Sequence, residues 1–366
     1  MTTNPDIALS YDDISIGVAT DPSPVDSRED VDVSQPLFHL EDRTIELENP
    51  IIASNMDTVV NVEMAEAIST AGGVAVLPRH TDSNRTTEEL TEEVCDDLEE
   101  IEGFVGASVG IPESISDGIH RVQKYSSAGA DFICVDVPHA NMDVVYEFVS
   151  QIDSKCDIPI LVGNIDSGEV AKRLANAGAD SVKVGIGPGS ACTTRQETGV
   201  GTPQHTAVSD VVDSLETANL QKNDNSSNVT VVADGGLQTS GDISKALIAS
   251  GANAVMTGRL LVGCKESPAE IVSQDGEEYK IYRGMASQEF REENDVDDRD
   301  PKRFVEGGSG FVEFENIQVD EKVDLLFDGV RSACSFCSAF NLDDARENAR
   351  VFRTTSETSI RNGIHM

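Results

Sequence analysis

The chain contains no tryptophan, aromatic residues make up only 5% of it, and its 27 basic residues face 66 acidic ones, a formal charge of −39 over 366 residues. Each shortage excludes something. So large a deficit of Lys and Arg repels phosphate backbones and anionic lipid, which argues against nucleic acid or a membrane surface as partner. The acid is spread along the whole chain instead of forming one block, so it reads as a solvated acidic coat of the kind halophilic proteins carry. Runs such as Glu88-Glu89-Leu90-Thr91-Glu92-Glu93 and Asp295-Val296-Asp297-Asp298 are faces and loops of that coat. No apolar run approaches the length that spans a bilayer. The first ten residues, Met1 to Ser10, are polar, carry Asp6 and lack the basic and apolar stretches of a signal peptide, which predicts a cytoplasmic protein. Cysteine is also sparse: Cys95, Cys134, Cys156, Cys192, Cys264, Cys334 and Cys337 are scattered, which implies free thiols and no disulfide framework. The Cys334-Ser335-Phe336-Cys337 pair has redox-motif spacing but no second pair and no nearby His, and is expected to be structural.

Short runs rich in Val and Ile recur, each followed by a polar turn and a segment of helical period. The expected strands are Pro50 to Ser54, Gly73 to Leu77, Phe104 to Val109, Phe132 to Asp136, Pro159 to Gly163, Ser181 to Gly185, Val229 to Ala233 and Ala254 to Gly258. Helices are expected between them, several closing on Ala-Gly or Ser-Gly, as at Ala128-Gly129 and Ser250-Gly251, where glycine supplies the left-handed cap. Continuously apolar strands alternating with helices imply a parallel sheet covered by helices. Closure at eight gives an α/β fold of the (β/α)8 TIM-barrel class, with a doubly wound open sheet as the alternative. Residues 1–48 form an N-terminal segment expected to cover the barrel bottom or reach a neighbouring subunit. Residues 49–366 form one catalytic barrel, with a charged, Gly-containing flap at 286–310 and a C-terminal tail at 311–366 holding one strand and two helices.

Barrel active sites form beyond the C-terminal ends of the strands, and the polar signals fall there. Asn55-Met56-Asp57 follows the first strand, Arg79-His80 the second, Asp136 ends the fourth and Asn164 follows the fifth. The sixth leads into Gly185-Ile186-Gly187-Pro188-Gly189-Ser190-Ala191-Cys192-Thr193-Thr194-Arg195, a glycine loop that lets backbone groups approach a phosphate or a cation and presents a thiol at its tip. A buried free cysteine beside an ordinary turn is the competing reading of that loop in isolation. Asp234-Gly235-Gly236 and Gly258-Arg259 follow the last two strands, the usual phosphate site of such barrels. Their N–H groups, Arg259 and the Ser190 hydroxyl suit a monophosphate, and Asp234 suits a ribose diol. Cys192 is then placed to attack an electrophilic carbon of a base, with Thr194 and a carboxylate such as Glu306 as a proton relay.

The run Lys183 to Gln204, with Asn55-Met56-Asp57-Thr58-Val59, Ala233-Asp234-Gly235-Gly236, Tyr282-Arg283-Gly284-Met285 and Val330-Arg331-Ser332-Ala333-Cys334, closely resembles the IMP dehydrogenase and GMP reductase family over nearly the whole chain. The resemblance implies a purine nucleotide held by its 5′-phosphate, a nicotinamide cofactor, Cys192 as a thioimidate-forming nucleophile at C2, and a homotetramer. It also implies a monovalent cation, K⁺, near the carbonyls of Gly187, Gly189 and Cys192. Asp136, Ile186, Gly187, Arg79 and His80 become expected cofactor contacts. Asp57, Ser190, Asp234, Gly235, Gly236, Gly258, Arg259, Gly284, Met285, Arg303 and Gly307 become expected substrate contacts.

The direction of the chemistry rests on details. The chain has no room for the CBS modules that dehydrogenases usually insert. Arg303-Phe304-Val305-Glu306-Gly307 is similar to the Arg-x-x-Glu-Gly of reductases and has Phe where a dehydrogenase tyrosine would stand. Asn55, Asp136-Val137 and Gly163-Asn164-Ile165-Asp166-Ser167-Gly168-Glu169 lean the same way. These features imply a GMP reductase, with NADPH and GMP giving IMP, ammonia and NADP⁺. An IMP dehydrogenase using NAD⁺ and a non-catalytic purine-nucleotide binder are the alternatives. Arg259, Ala140 and Thr202 depart from the family pattern, and the last two bear on the expected cofactor contacts.

Overall fold

The computed structural model describes residues 7–79, 85–218, 229–284 and 308–354. Eight parallel strands close into a barrel: Ile51–Ala53, Val74–Leu77, Val105–Val109, Phe132–Asp136, Ile160–Ile165, Ser181–Val184, Thr230–Asp234 and Ala254–Thr257, the last pairing with the first. Nearly every residue of these strands is buried, because side chains on one face fill the barrel and those on the other meet the helices. The closed sheet settles the fold in favour of the barrel over the open doubly wound sheet.

Several helices start where short polar side chains accept the orphan N–H groups of the first turn. Asn61 caps Val62–Thr70, Thr86 caps Thr87–Glu100 and Ser114 caps Ile115–Ala128. A second device recurs where helix returns to strand. The residue after Gly-Ala accepts an N–H at the start of the preceding barrel strand: Asp131 takes Val105 N at 2.8 Å, Asp180 takes Ile160 N at 2.8 Å, and Asn253 takes Val231 N at 3.0 Å. The two aspartates do with a charge what Asn253 does without one. Burial pushes the Asp180 carboxyl up to about 6, with Asp153 adding to the rise against the Ile160 bond. A raised folded-state pKa means that Asp180's stabilising contribution is fully present below its unfolded value near 4 and is lost as pH rises through about 6. Asp180→Asn keeps the acceptor and removes the charge. It is expected to stabilise the protein by about 1–2 kcal/mol at pH 7.5 and by nothing near pH 4, as thermal melts at fixed high salt would read.

The N-terminal segment closes the barrel's lower mouth. A hairpin of Gln35–His39 and Thr44–Leu47 carries Leu37, Phe38 and Leu47 against Ile52, Val74, Phe132, Leu161 and Met256. The Phe38 and Phe132 rings stand 5.1 Å apart, and Thr230 Oγ1 donates to Leu37 O at 2.5 Å. This plug is contiguous and apolar, so the polar chemistry is left to the opposite mouth.

In the C-terminal part, Ser309–Glu313 is a strand and Val319–Phe336 and Leu342–Asn348 are helices. A further strand, Arg350–Arg353, pairs antiparallel with Ile14–Gly17 and ties the two ends of the described chain together. Sequence reasoning did not anticipate that strand, nor the pair Ile271–Gln274 and Glu277–Arg283, which joins Ser309–Glu313 in a three-stranded sheet beside the eighth barrel strand. The expected flap boundary at 310 therefore moves, since Ser309 and Gly310 already pair with Arg283 and Tyr282. Cys334 and Cys337 are fully buried at the end of a helix, and burial pushes the Cys334 thiol up to about 12, which fits packing and not redox chemistry. Among the described residues no helix is long and apolar enough to cross a membrane.

Candidate active site

The loop after the sixth strand is held open by its own side chains. The Arg195 chain lies across Gly187, its Nε donates to Ile186 O at 3.2 Å, and its Nη2 donates to Thr202 O. Thr202 Oγ1 in turn donates to Asp166 at 2.8 Å, and Gln204 Nε2 donates to Val184 O at 2.7 Å and Asp234 O at 3.1 Å. Thus Thr202, which departs from the family pattern, is a structural tie between two loops. At the tip, Cys192 is half-buried and its Sγ donates to Thr194 Oγ1 at 3.2 Å, while its N–H is taken by Gly189 O at 3.0 Å. The thiol therefore has a hydroxyl partner and an open side.

The loop after the seventh strand packs on this one. Gly235 has φ of +83°, and a Cβ there would come 3.1 Å from Gly189 N, so the backbone conformation and the close approach both demand glycine. Gly258, after the eighth strand, makes room for two side chains: a Cβ there would lie 3.0 Å from both Met56 Sδ and the Tyr282 hydroxyl. Tyr282 is buried and hydrogen-bonded to Ser190, and burial pushes its hydroxyl up to about 12. Arg259 is exposed beside it, near enough for its charge to act on that hydroxyl. Ser190, Gly258, Arg259 and Tyr282 thus converge with the Gly235-Gly236 turn on the corner where a phosphate was expected. Tyr282 was not among the expected contacts, although it heads the Tyr-Arg-Gly-Met string. Gly258→Ala is expected to displace the Tyr282 hydroxyl and weaken nucleotide binding about tenfold, roughly 1.4 kcal/mol, with kcat changing less. Calorimetric titration with IMP and steady-state kinetics would read the two effects.

A second cluster lies deeper on the axis. Lys183 is 2% exposed, and its Nζ donates to Asp136 Oδ1 at 2.8 Å, to Asn164 Oδ1, and to Asp234 Oδ2 at 3.1 Å. Gly163 on the neighbouring strand gives the lysine space, since a Cβ there would stand 2.6 Å from Lys183 Cβ. Asn164 Nδ2 donates to Asp234 Oδ2 and to Gly185 O, both at 2.7 Å. Burial by itself would raise Asp136, yet the charge and hydrogen bond of Lys183, with Arg79 and the Asn55 amide, hold its carboxyl below the usual range. Burial likewise disfavours the Lys183 ammonium, but the carboxylates of Asp136 and Asp234 keep its pKa above the ordinary lysine value.

The remaining expected contacts divide. Arg79 lies over Gly110, close enough for its charge to act on Asp136. Ile186 is buried and its carbonyl serves Arg195. Ala140 is wholly buried, so its departure from the family pattern does not alter the surface of the cleft. Asp57 is taken by a protein partner, Arg283 Nη2, at 2.5 Å. Gly284 N donates to Gly308 O at 3.1 Å, and Gly308 N donates to Ala191 O at 2.8 Å, which pins the residues flanking segment 285–307 beside Cys192. His80, Met285, Arg303, Glu306 and Gly307 lie outside the described residues.

The chemistry of these groups fits the expected ligands. Asp136 keeps 26% exposure above a lysine that keeps 2%, so a carboxylate faces the cleft with its counter-ion beneath, a suitable acceptor for a carboxamide such as that of nicotinamide. For a cation, the loop offers main-chain carbonyls only; Gly189 O already accepts one N–H, and among the described residues no cluster of His, Cys, Asp or Glu could hold a metal.

Comparison with known proteins agrees with this arrangement. The model of the IMP dehydrogenase / GMP reductase domain matches residues 8–365. The inosine-5′-monophosphate dehydrogenase of Bacillus subtilis is 40% identical over 257 residues, covering 69% of this chain and 50% of the relative, and that of Chlorobaculum parvum is 38% identical over 262 residues with the same coverage. The chain thus spans about half the length of these relatives. The Borreliella burgdorferi inosine-5′-monophosphate dehydrogenase is 30% identical over 361 residues, covering 85% of this chain and 87% of the relative. The chain belongs to the IMP dehydrogenase / GMP reductase family, whose oxidoreductases act on purine nucleotides within a (β/α)8 barrel.

Proposed function

We propose that this protein is a nicotinamide-dependent oxidoreductase acting at C2 of a purine 5′-monophosphate, in the direction of an IMP dehydrogenase. The observation that supports the direction most is the similarity to a dehydrogenase over 85% of this chain and 87% of the relative, together with dehydrogenases at 38% identity over 262 residues and 40% over 257. Ser190, Tyr282, Arg259 and the Gly235-Gly236 turn hold the phosphate, and Asp234 accepts the ribose hydroxyls. Cys192 loses its proton to solvent and its Sγ bonds to C2 of the hypoxanthine ring, with Thr194 accepting the thiol's hydrogen bond in the resting site. When bound, NAD⁺ accepts the hydride that leaves C2. Asp136 and Arg79 orient that ligand's amide and phosphates. Water then adds to C2, the carbon–sulfur bond breaks, and Cys192 recovers its proton as XMP departs. A K⁺ ion at the Gly187, Gly189 and Cys192 carbonyls would hold the loop's shape, and a tetramer would match the family habit.

A second reading, GMP reductase with NADPH, is favoured by a specific feature. Asn55, which leans towards the reductases in sequence, is buried and donates to Asp136, and Asn164 joins the same network. The residues 303–307 that lean the same way lie outside the described residues. Purified protein in molar KCl decides between the two: IMP-dependent reduction of NAD⁺ is expected. GMP-dependent oxidation of NADPH in its place would make the protein a reductase, and nucleotide binding without either activity would make it a binder.

A further inference from the structure

Lys183 has three ammonium hydrogens and three acceptors, Asp136, Asn164 and Asp234, and is itself 2% exposed. One ammonium is shared by two carboxylates that come from the fourth and seventh strands, and the charge of Arg79 acts on Asp136 as well. Asp234 faces the nucleotide side, beside Gly235 and Tyr282, and Asp136 faces the dinucleotide side, beside Arg79. We propose that Lys183 is a positioning residue that couples the two ligand sites negatively, each ligand on binding weakening the hold on the other. The inference rests on the functional reading above, in which Asp234 meets the ribose and Asp136 the nicotinamide.

The sign follows from competition for one cation. Ribose hydroxyls that donate to Asp234 satisfy part of its charge and weaken its claim on Lys183. The ammonium then draws closer to Asp136, which becomes a poorer acceptor for the second ligand's amide hydrogens. By linkage the effect is reciprocal.

The test uses the full chain carrying Cys192→Ala, so that no turnover occurs. NAD⁺ and NADP⁺ are titrated calorimetrically with and without saturating IMP or GMP, in the Lys183 protein and in Lys183→Gln. Direct stacking of purine on nicotinamide contributes to both proteins, so the comparison isolates the lysine. The ratio of dinucleotide Kd with nucleotide to Kd without it is expected to be about fivefold higher with Lys183 than with Gln, and Lys183→Arg is expected to keep the higher ratio. Equal ratios with Lys and Gln overturn the proposal. Failure of any purine nucleotide to bind overturns the functional reading instead. Where Lys183→Gln does not fold because two buried carboxylates lose their counter-ion, the neutral pair Asp136→Asn/Lys183→Gln replaces it, with the same expected fall in the ratio and the same result overturning it.

Discussion

Alanine at Cys192 is expected to abolish turnover and leave nucleotide binding nearly intact. The thiol stands at the open tip of a loop whose shape is held by Arg195, Thr202, Gln204 and Gly235, none of which uses the sulfur as a support. Its removal therefore deletes a reacting atom without unfolding the site. A covalent step split into two lower barriers is lost, and kcat is expected to fall by at least ~10³-fold, while nucleotide Kd stays within about threefold. Nicotinamide absorbance and calorimetry read the two quantities. The other cysteines are not placed to substitute: Cys134, Cys264, Cys334 and Cys337 are fully buried, burial pushes the thiols of Cys264 and Cys334 up to about 12, Cys95 is buried in the helix Thr87–Glu100, and Cys156 caps the helix Asp143–Lys155 just before the fifth strand, at the opposite mouth of the barrel. Retention of more than a tenth of the activity in Cys192→Ala would falsify covalent catalysis by this residue.

The barrel was legible because strands buried on both faces write themselves as continuous apolar runs, and all eight expected strands match observed ones. The cysteine loop was legible for a different reason, since a dense string of glycines is seldom tolerated without a close approach to make. Less visible was anything that depends on a partner distant in sequence. Lys183 heads the glycine string, yet its role comes from Asp136 and Asp234, 47 and 51 residues away, and no local pattern announces a buried lysine. The hairpin Ile271–Arg283 carried one signal, Asp275-Gly276, whose φ values of 53° and 92° suit the tight turn of a two-residue hairpin. Its strands hid because they are polar in sequence. Lys280, fully buried in the second of them, donates to the carbonyls of Cys264 and Ser267 at 2.5 and 2.6 Å, so even its inward face reads as charged. Tyr282 hid within the same strand. The Thr202 and Ala140 departures stopped being puzzles once Asp166 and the core were seen around them.

Low salt is expected to cost this protein more stability than any single substitution. The acidic excess of 66 over 27 means that basic groups are too few to pair one to one with the carboxylates, and some already serve two. Lys124 alone pairs with both Glu88 and Glu92. The helix Thr87–Glu100 that carries them has acidic residues at its C-terminal end and no basic residue in its last turn, so Glu99 and Glu100 oppose the helix dipole as well as each other. At ~0.1 M salt the screening length is about 10 Å and such charges repel across the surface; at ~1 M it is about 3 Å and each is nearly isolated. The thermal midpoint is therefore expected to rise by about 10 °C or more between ~0.1 M and ~2 M KCl, as circular dichroism would follow. Generic salting-out would give a similar trend, so a second measurement separates the causes. Glu99→Lys/Glu100→Lys is expected to raise the midpoint by a few degrees in low salt and by almost nothing at high salt, because it removes repulsion that the salt otherwise screens. A midpoint that ignores ionic strength, or a double variant whose gain is the same at both concentrations, would show that the acidic coat does not set the protein's stability through its charge.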